Sequence, residues 1–150
     1  IWQPTDPSAA AVASIEAHRR EAPQPGFLTP LVLDARDAAG WPPGPFEAVF
    51  CANVIHIAPW PVCLALFDGA ARVLAADGAL LLYGPFRFAG RFLAESNAAF
   101  DARLRREDPA WGVRDVDEIA VAAAAHGFAP PEPVALPANN HLLVLRRTLA

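Results

Sequence analysis

Lysine does not occur in this chain. All 12 basic side chains are arginine, set against 16 acidic ones, for a formal net charge of −4. No broad cationic surface is available to neutralise phosphates, which disfavours a nucleic-acid partner. The same absence weighs against a nicotinamide dehydrogenase, which would want a Tyr-x-x-x-Lys pair or similar. Arginine in place of lysine, with abundant alanine and proline, points to a GC-rich bacterial coding background. Cysteine is nearly absent too: Cys51 and Cys63 lie in apolar surroundings at a spacing that fits neither a metal knuckle nor a redox pair. Inert buried thiols and no metal site are the expectation. No apolar run approaches the roughly 18 residues of a membrane span, and no basic-apolar leader is seen, so a reducing cytoplasm fits best.

What is present suits a packed core. Hydrophobic residues make up 54% and charged residues 19% of the chain, a balance that argues against disorder. A chain of 150 residues can bury roughly 70% of its unfolded surface, so a single domain over 1–150 is expected. There is no internal repeat.

The pattern along the chain alternates strand and helix. Ile1 to Asp6 reads as the tail of a strand, broken at Pro7, with Ser8 as a cap for a helix from Ala9 to about Ala22. Leu31-Val32-Leu33 is a short strand stopped by Asp34. Ala48 to Ala52 is apolar at every position, as expected of a strand covered on both faces, and Asn53 ends it. Val62 to Leu74 carries a helical stripe closed by an Asp77-Gly78 turn, and Ala79 to Tyr83 is a third apolar strand. Phe86 to Arg114 reads as a connection with a helix near Ser96–Glu107. A helix from Val116 to Ala125 then leads to a hairpin of Glu132–Leu136 and His141–Arg147. This order gives an α/β fold with right-handed crossovers.

In such a sheet the chemistry gathers beyond the carboxyl ends of the strands, where loop amides and helix N-termini converge. Two carboxylates there, Asp6 and Asp34, suit a nucleoside: one accepts from a ribose diol, the other from an exocyclic amine. Ala35 adjoins the second. Each also has a plainer use, in capping or in a turn. Asn53 offers both a donor and an acceptor. His56 is a candidate general base. Tyr83, Phe86, Arg87, Asn97, Trp111 and Arg114 are candidate substrate contacts, with aromatics as apolar walls and arginine to read anions. Asn139 and Asn140 join them if the penultimate strand is parallel to the others.

Several long words carry a family likeness: Trp2-Gln3-Pro-Thr-Asp6-Pro, Phe50-Cys-Ala-Asn53-Val-Ile-His56-Ile-Ala-Pro-Trp60, Leu82-Tyr83-Gly-Pro-Phe86-Arg87, Ser96-Asn97-Ala-Ala-Phe100-Asp101, Asp108-Pro-Ala-Trp111-Gly-Val-Arg114-Asp115 and Leu136-Pro-Ala-Asn139-Asn140. Together they closely resemble the domain-of-unknown-function family 938, of the methyltransferase-like protein 26 type. The resemblance implies a Rossmann-like class I methyltransferase fold, mostly parallel with an antiparallel last strand, and S-adenosyl-L-methionine as cofactor. It places Asp6 at the ribose, Asp34 near adenine and Asn53 in the methyl-transfer pocket; it names no substrate, and a small-molecule acceptor is the expectation. Such enzymes begin with a strand and a glycine-rich loop, and Ile1 here already matches the second strand. In the superfamily order 3-2-1-4-5-7-6 the first strand is central, so two sub-sheets and weak cofactor affinity are expected of this chain alone. The competing expectation is a non-catalytic binding or scaffold module.

Overall fold

The structure, a computed structural model, describes residues 1–148. They form two compact units, Ile1–Pro42 and the residues from Pro43 onward.

The first unit is one strand–helix–strand turn: β1 (Thr5–Asp6), α1 (Ala9–Glu21) and β2 (Leu31–Val32). β1 and β2 are parallel, with Thr5 opposite Leu31 and Asp6 opposite Val32. Ser8 caps α1 as expected, its hydroxyl accepting from the Ala11 N–H at 3.4 Å. Glu16 is gripped by Arg19 and Arg20, both at 2.7 Å, which holds its carboxyl down at about 2 through those hydrogen bonds.

The second unit holds β3 (Phe46–Ala52), a 3₁₀ turn (Val54–His56), α2 (Trp60–Val73) and β4 (Leu74–Gly84), then a short hairpin of β5 (Arg87–Phe88) and β6 (Arg91–Phe92). It continues with α3 (Glu95–Glu107), α4 (Val116–Ala125), β7 (Glu132–Leu136) and β8 (Asn140–Arg146). Four strands make one sheet in the order β3-β4-β8-β7. β3 and β4 are parallel, while β8 runs antiparallel to both β4 and β7. β7 therefore points the same way as β4, and the turn after it reaches the carboxyl ends of β3 and β4. Among the described residues no helix is long and apolar enough to cross a membrane.

Packing follows the apolar stripes. Leu80 faces Leu145 and Leu82 faces Leu143 across the β4–β8 ladder, all at most 1% exposed. Burying each such side chain is worth about 1.5–3 kcal/mol. α2 contributes Cys63, Leu66, Phe67, Ala70 and Val73, and α4 contributes Ile119. The Phe67 ring meets Phe128 at 6.2 Å and His126 at 5.8 Å. Both cysteines are buried thiols, pushed up by desolvation to about 12 for Cys51 and about 11 for Cys63, so neither is a ready nucleophile.

Three sequence expectations need correction. Among the described residues β3 ends the four-stranded order and Phe50 is 44% exposed, so the expected cover on both faces is not seen along this strand. Asp77-Gly78 does not close α2, which ends at Val73; β4 begins at once. Pairing slips between Phe46 opposite Leu74 and Ala48 opposite Ala79, so the turn-forming pair is absorbed in a bulge. The connection after Phe86 also contains the β5–β6 hairpin, turned at Ala89 and Gly90, both with positive φ (49° and 77°).

Candidate functional site

The carboxylates of the first unit stand where two neighbouring parallel strands end. Asp6 is the last residue of β1, and Asp34 follows β2 by two residues. One Asp6 oxygen accepts from the Ser8 N–H at 2.7 Å. Asp34 is more committed: both its oxygens meet Arg36, at 2.6–3.2 Å, and it also accepts the Arg36 backbone N–H. Those bonds hold its carboxyl down at about 2, so it is an anion throughout the neutral range. A carboxylate offers about four lone-pair sites, which leaves Asp6 able to accept further donors, whereas Arg36 already makes four hydrogen bonds to Asp34. The Ala35 carbonyl is already used by the Trp41 indole N–H at 3.1 Å.

In the second unit the strand ends converge on Gly84. Asn53 follows β3 in the left-handed region, φ 60°, a conformation asparagine tolerates. Its N–H bonds the Tyr83 carbonyl at 2.9 Å and so carries the ladder one step past β3. A Cβ on Gly84 would lie 2.6 Å from His56 Nε2 and 2.9 Å from Asn53 Oδ1. Glycine is thus required, because the imidazole occupies the place a side chain would take.

His56 is fully buried. Its ring meets Phe86 edge-on at 5.1 Å, and Nδ1 accepts the Arg114 backbone N–H at 3.4 Å. The neutral proton is then on Nε2, which has no hydrogen-bond partner among the described residues. Burial, followed by the charge of Arg114, lowers its pKa to about 4. The ring has no free lone pair and no solvent contact, so the expected general-base role finds no support in the geometry. His56 instead fixes the loop at 112–114, which also bonds its carbonyl through the Gly112 N–H at 2.9 Å.

Two further candidates are spent on structure. The Arg114 guanidinium donates to the carbonyls of Ile55, Ala58 and Ala110 at 2.7–2.9 Å and lies over the Trp60 ring at 5.4 Å, so it ties loops together rather than waiting for an anion. Phe86 is fully buried and belongs to the core. Arg87 reaches α4, with Glu118 at 3.8 Å, and covers Phe92 at 5.9 Å. Asn97 is 5% exposed, and its amide donates to the Asn139 carbonyl at 3.2 Å, latching α3 to the β7–β8 turn. There Ala138 and Asn139 both have positive φ. Asn140 bonds back to the Pro137 carbonyl at 3.4 Å. Tyr83 and Trp111 are half-buried.

Of three further groups, two escaped the sequence reading and the first was read only as a candidate helix cap. Asp115 caps α4 and also accepts the Gly90 N–H at 2.7 Å, so one buried carboxylate fixes both the helix and the hairpin turn. Asp101 accepts the Val113 N–H at 2.8 Å. His141 pairs with Gly84 across the ladder. Only the first gave a signal in the sequence, as a cap.

Residues 1–147 match a family described as "Protein of unknown function (DUF938)". The chain belongs to the DUF938 family. Its fold is the Rossmann-like methyltransferase fold. An O-methyltransferase family protein from Burkholderia thailandensis superposes with a TM-score of 0.76 at 19% identity, over 97% of this chain and 43% of that one. The S-adenosylmethionine-dependent methyltransferase SibL, in its apo form, gives 0.79 at 17% identity, over 97% and 43%. PigF, solved with SAH, gives 0.78 at 12%, over 96% and 43%. This DUF938 chain therefore spans less than half the length of these proteins, and at such identities the likeness concerns the fold. Within it, the strand order of the four-stranded sheet is the 4-5-7-6 half of the order expected from the family resemblance, with β8 as the antiparallel strand.

Proposed function

We propose that this DUF938 chain carries the fold of an S-adenosyl-L-methionine-dependent methyltransferase acting on a small-molecule acceptor. The observation that carries the reading is the pair Asp6 and Asp34, which end adjacent parallel strands. The residues fit the cofactor: Asp6 keeps an oxygen with no partner among the described residues, and Asp34 is held ionised by Arg36. Asp6 would take the ribose hydroxyls, and Asp34, with Ala35, the adenine side. Bound there, the cofactor supplies an electrophilic methyl group on a sulfonium. The chain's own task is mainly alignment, since transfer from a sulfonium depends on holding donor and acceptor in line. Asn53, with a donor and an acceptor beside Gly84, and the half-buried Tyr83 and Trp111 are the groups left to meet the acceptor. The net charge of −4 favours a small molecule over nucleic acid.

Calorimetry with S-adenosylmethionine on the complete gene product tests this. Binding is expected, and Asp6→Ala should weaken it by about 1–3 kcal/mol, the cost of leaving polar partners unmet. A complete gene product that ignores the cofactor would refute the reading and leave a non-catalytic binding or scaffold module.

A further inference from the structure

His141 is the last pair on the core face of the β4–β8 ladder. The row runs Leu80 with Leu145, Leu82 with Leu143, then Gly84 with His141. Directly paired residues of an antiparallel ladder share a face, so the row continues the buried face out to the carboxyl end of β4. There His141 is half-buried, while the two leucines paired before it are fully covered. Its ring leans on Phe88 with centroids 5.0 Å apart. Nδ1 is buried without a hydrogen-bond partner among the described residues, which leaves Nε2 as the nitrogen that meets solvent.

Two imidazoles therefore flank Gly84, and they differ in what holds them. The Arg114 N–H occupies the Nδ1 lone pair of His56 and commits the proton to the other, buried nitrogen. The His141 side chain is held by ring packing, with no hydrogen bond among the described residues, so neither tautomer is imposed. In the Nδ1–H tautomer the Nε2 lone pair is free, at a rim that also carries Asn53 and the Asn97-latched turn. Buried polar atoms without partners are uncommon and call for a reason.

We propose that His141 is the catalytic base of this site: it contacts the methyl acceptor and takes the proton of the acceptor's hydroxyl. The assignment rests on the methyl-transfer reading above. The acceptor O–H bond breaks toward the imidazole. The freed oxygen pair forms the bond to the methyl carbon, and the pair of the broken sulfur–carbon bond stays on sulfur. The imidazolium then returns its proton to water.

The test has three arms. Diethyl pyrocarbonate footprinting of the complete gene product, read by peptide mass spectrometry, should modify His141 and spare His56; a His141 as resistant as His56 overturns the proposal whatever the protein's activity. Methylation of 4-methoxyphenol, phenol and 4-nitrophenol, followed by S-adenosylhomocysteine release, should slow in His141→Gln by about 100-fold or more for the weakly acidic 4-methoxyphenol, the lower end of what a general base contributes. The loss should nearly vanish for 4-nitrophenol, which is largely ionised already. Equal slowing of all three phenols marks a structural role and overturns the assignment, as does no slowing, or wild-type protein that methylates none of them. Calorimetry of S-adenosylmethionine with the wild type separates this failure from that of the methyl-transfer reading: bound cofactor without the graded loss sinks His141 alone.

Discussion

Acid should destabilise the second unit through His56 as soon as pH falls below the ordinary imidazole value. The imidazole is wholly buried, and its pKa falls from 6.5 to about 4 through desolvation and the nearby Arg114 charge. The unfolded chain takes up that proton as pH drops through 6.5, while the folded chain refuses it until about 4. Stability is therefore full above 6.5 and is lost as pH falls. A difference of about 2.5 units at 1.36 kcal/mol each amounts to about 3 kcal/mol, most of it gone by about pH 4.5. Glu16 and Asp34 act in another window. Their pKa values are depressed to about 2, so the stability they confer is present above their ordinary carboxylate values and is lost only as pH falls from there toward 2. Urea unfolding from pH 7.5 to 4.5, followed by circular dichroism, reads the slope. His56→Gln keeps an acceptor for the Arg114 N–H and removes the titration, so wild type should lose about 2–3 kcal/mol more than the variant over that range. Two parallel pH profiles, within about 0.5 kcal/mol, would refute the account.

Gly84→Ala should cost about 1–3 kcal/mol by overpacking, because the new Cβ would stand 2.6 Å from His56 Nε2 and the ring is boxed in by Phe86; a change in urea midpoint below the error of the fit would show that the imidazole can move aside. Arg114→Lys should lose roughly 2–4 kcal/mol, since a single ammonium cannot reproduce the planar fork that serves three carbonyls, and an unaltered thermal midpoint would count against that tying role. Asn97→Ala removes the donor to the Asn139 carbonyl and should cost about 1–3 kcal/mol, with faster amide exchange at residues 138–140 as the local signature; unchanged exchange there would mean the turn holds itself.

Much of the fold was legible because local signals and tertiary demand agree. Ser8 and Asp115 both cap the helices they precede, and the stripe of Leu66, Ala70, Val73 and Leu74 is buried. Where the reading failed, a local signal met a stronger long-range one. Asp77-Gly78 has the chemistry of a turn, yet pairing with β3 draws those residues into β4 as a bulge. The β5–β6 hairpin was hidden because its turn uses Ala89 at φ 49°, and alanine gives no sign of a left-handed position. Asp115 stabilises that turn from 25 positions away through the Gly90 N–H, a bond no window of sequence contains.

The site was legible in position but not in role. Sequence places polar residues at strand ends, and the structure keeps them there; what it decides is which of their atoms remain free. Arg114 loses its anion-reading fork to carbonyls as far as 59 residues back along the chain. His56 and His141 are the same residue type beside the same glycine, one before it in the chain and one across the ladder. Proximity to a strand end does not separate them. A single backbone hydrogen does: the Arg114 N–H fills one imidazole's lone pair, and the other ring, resting against Phe88, keeps the freedom to carry a proton on either nitrogen.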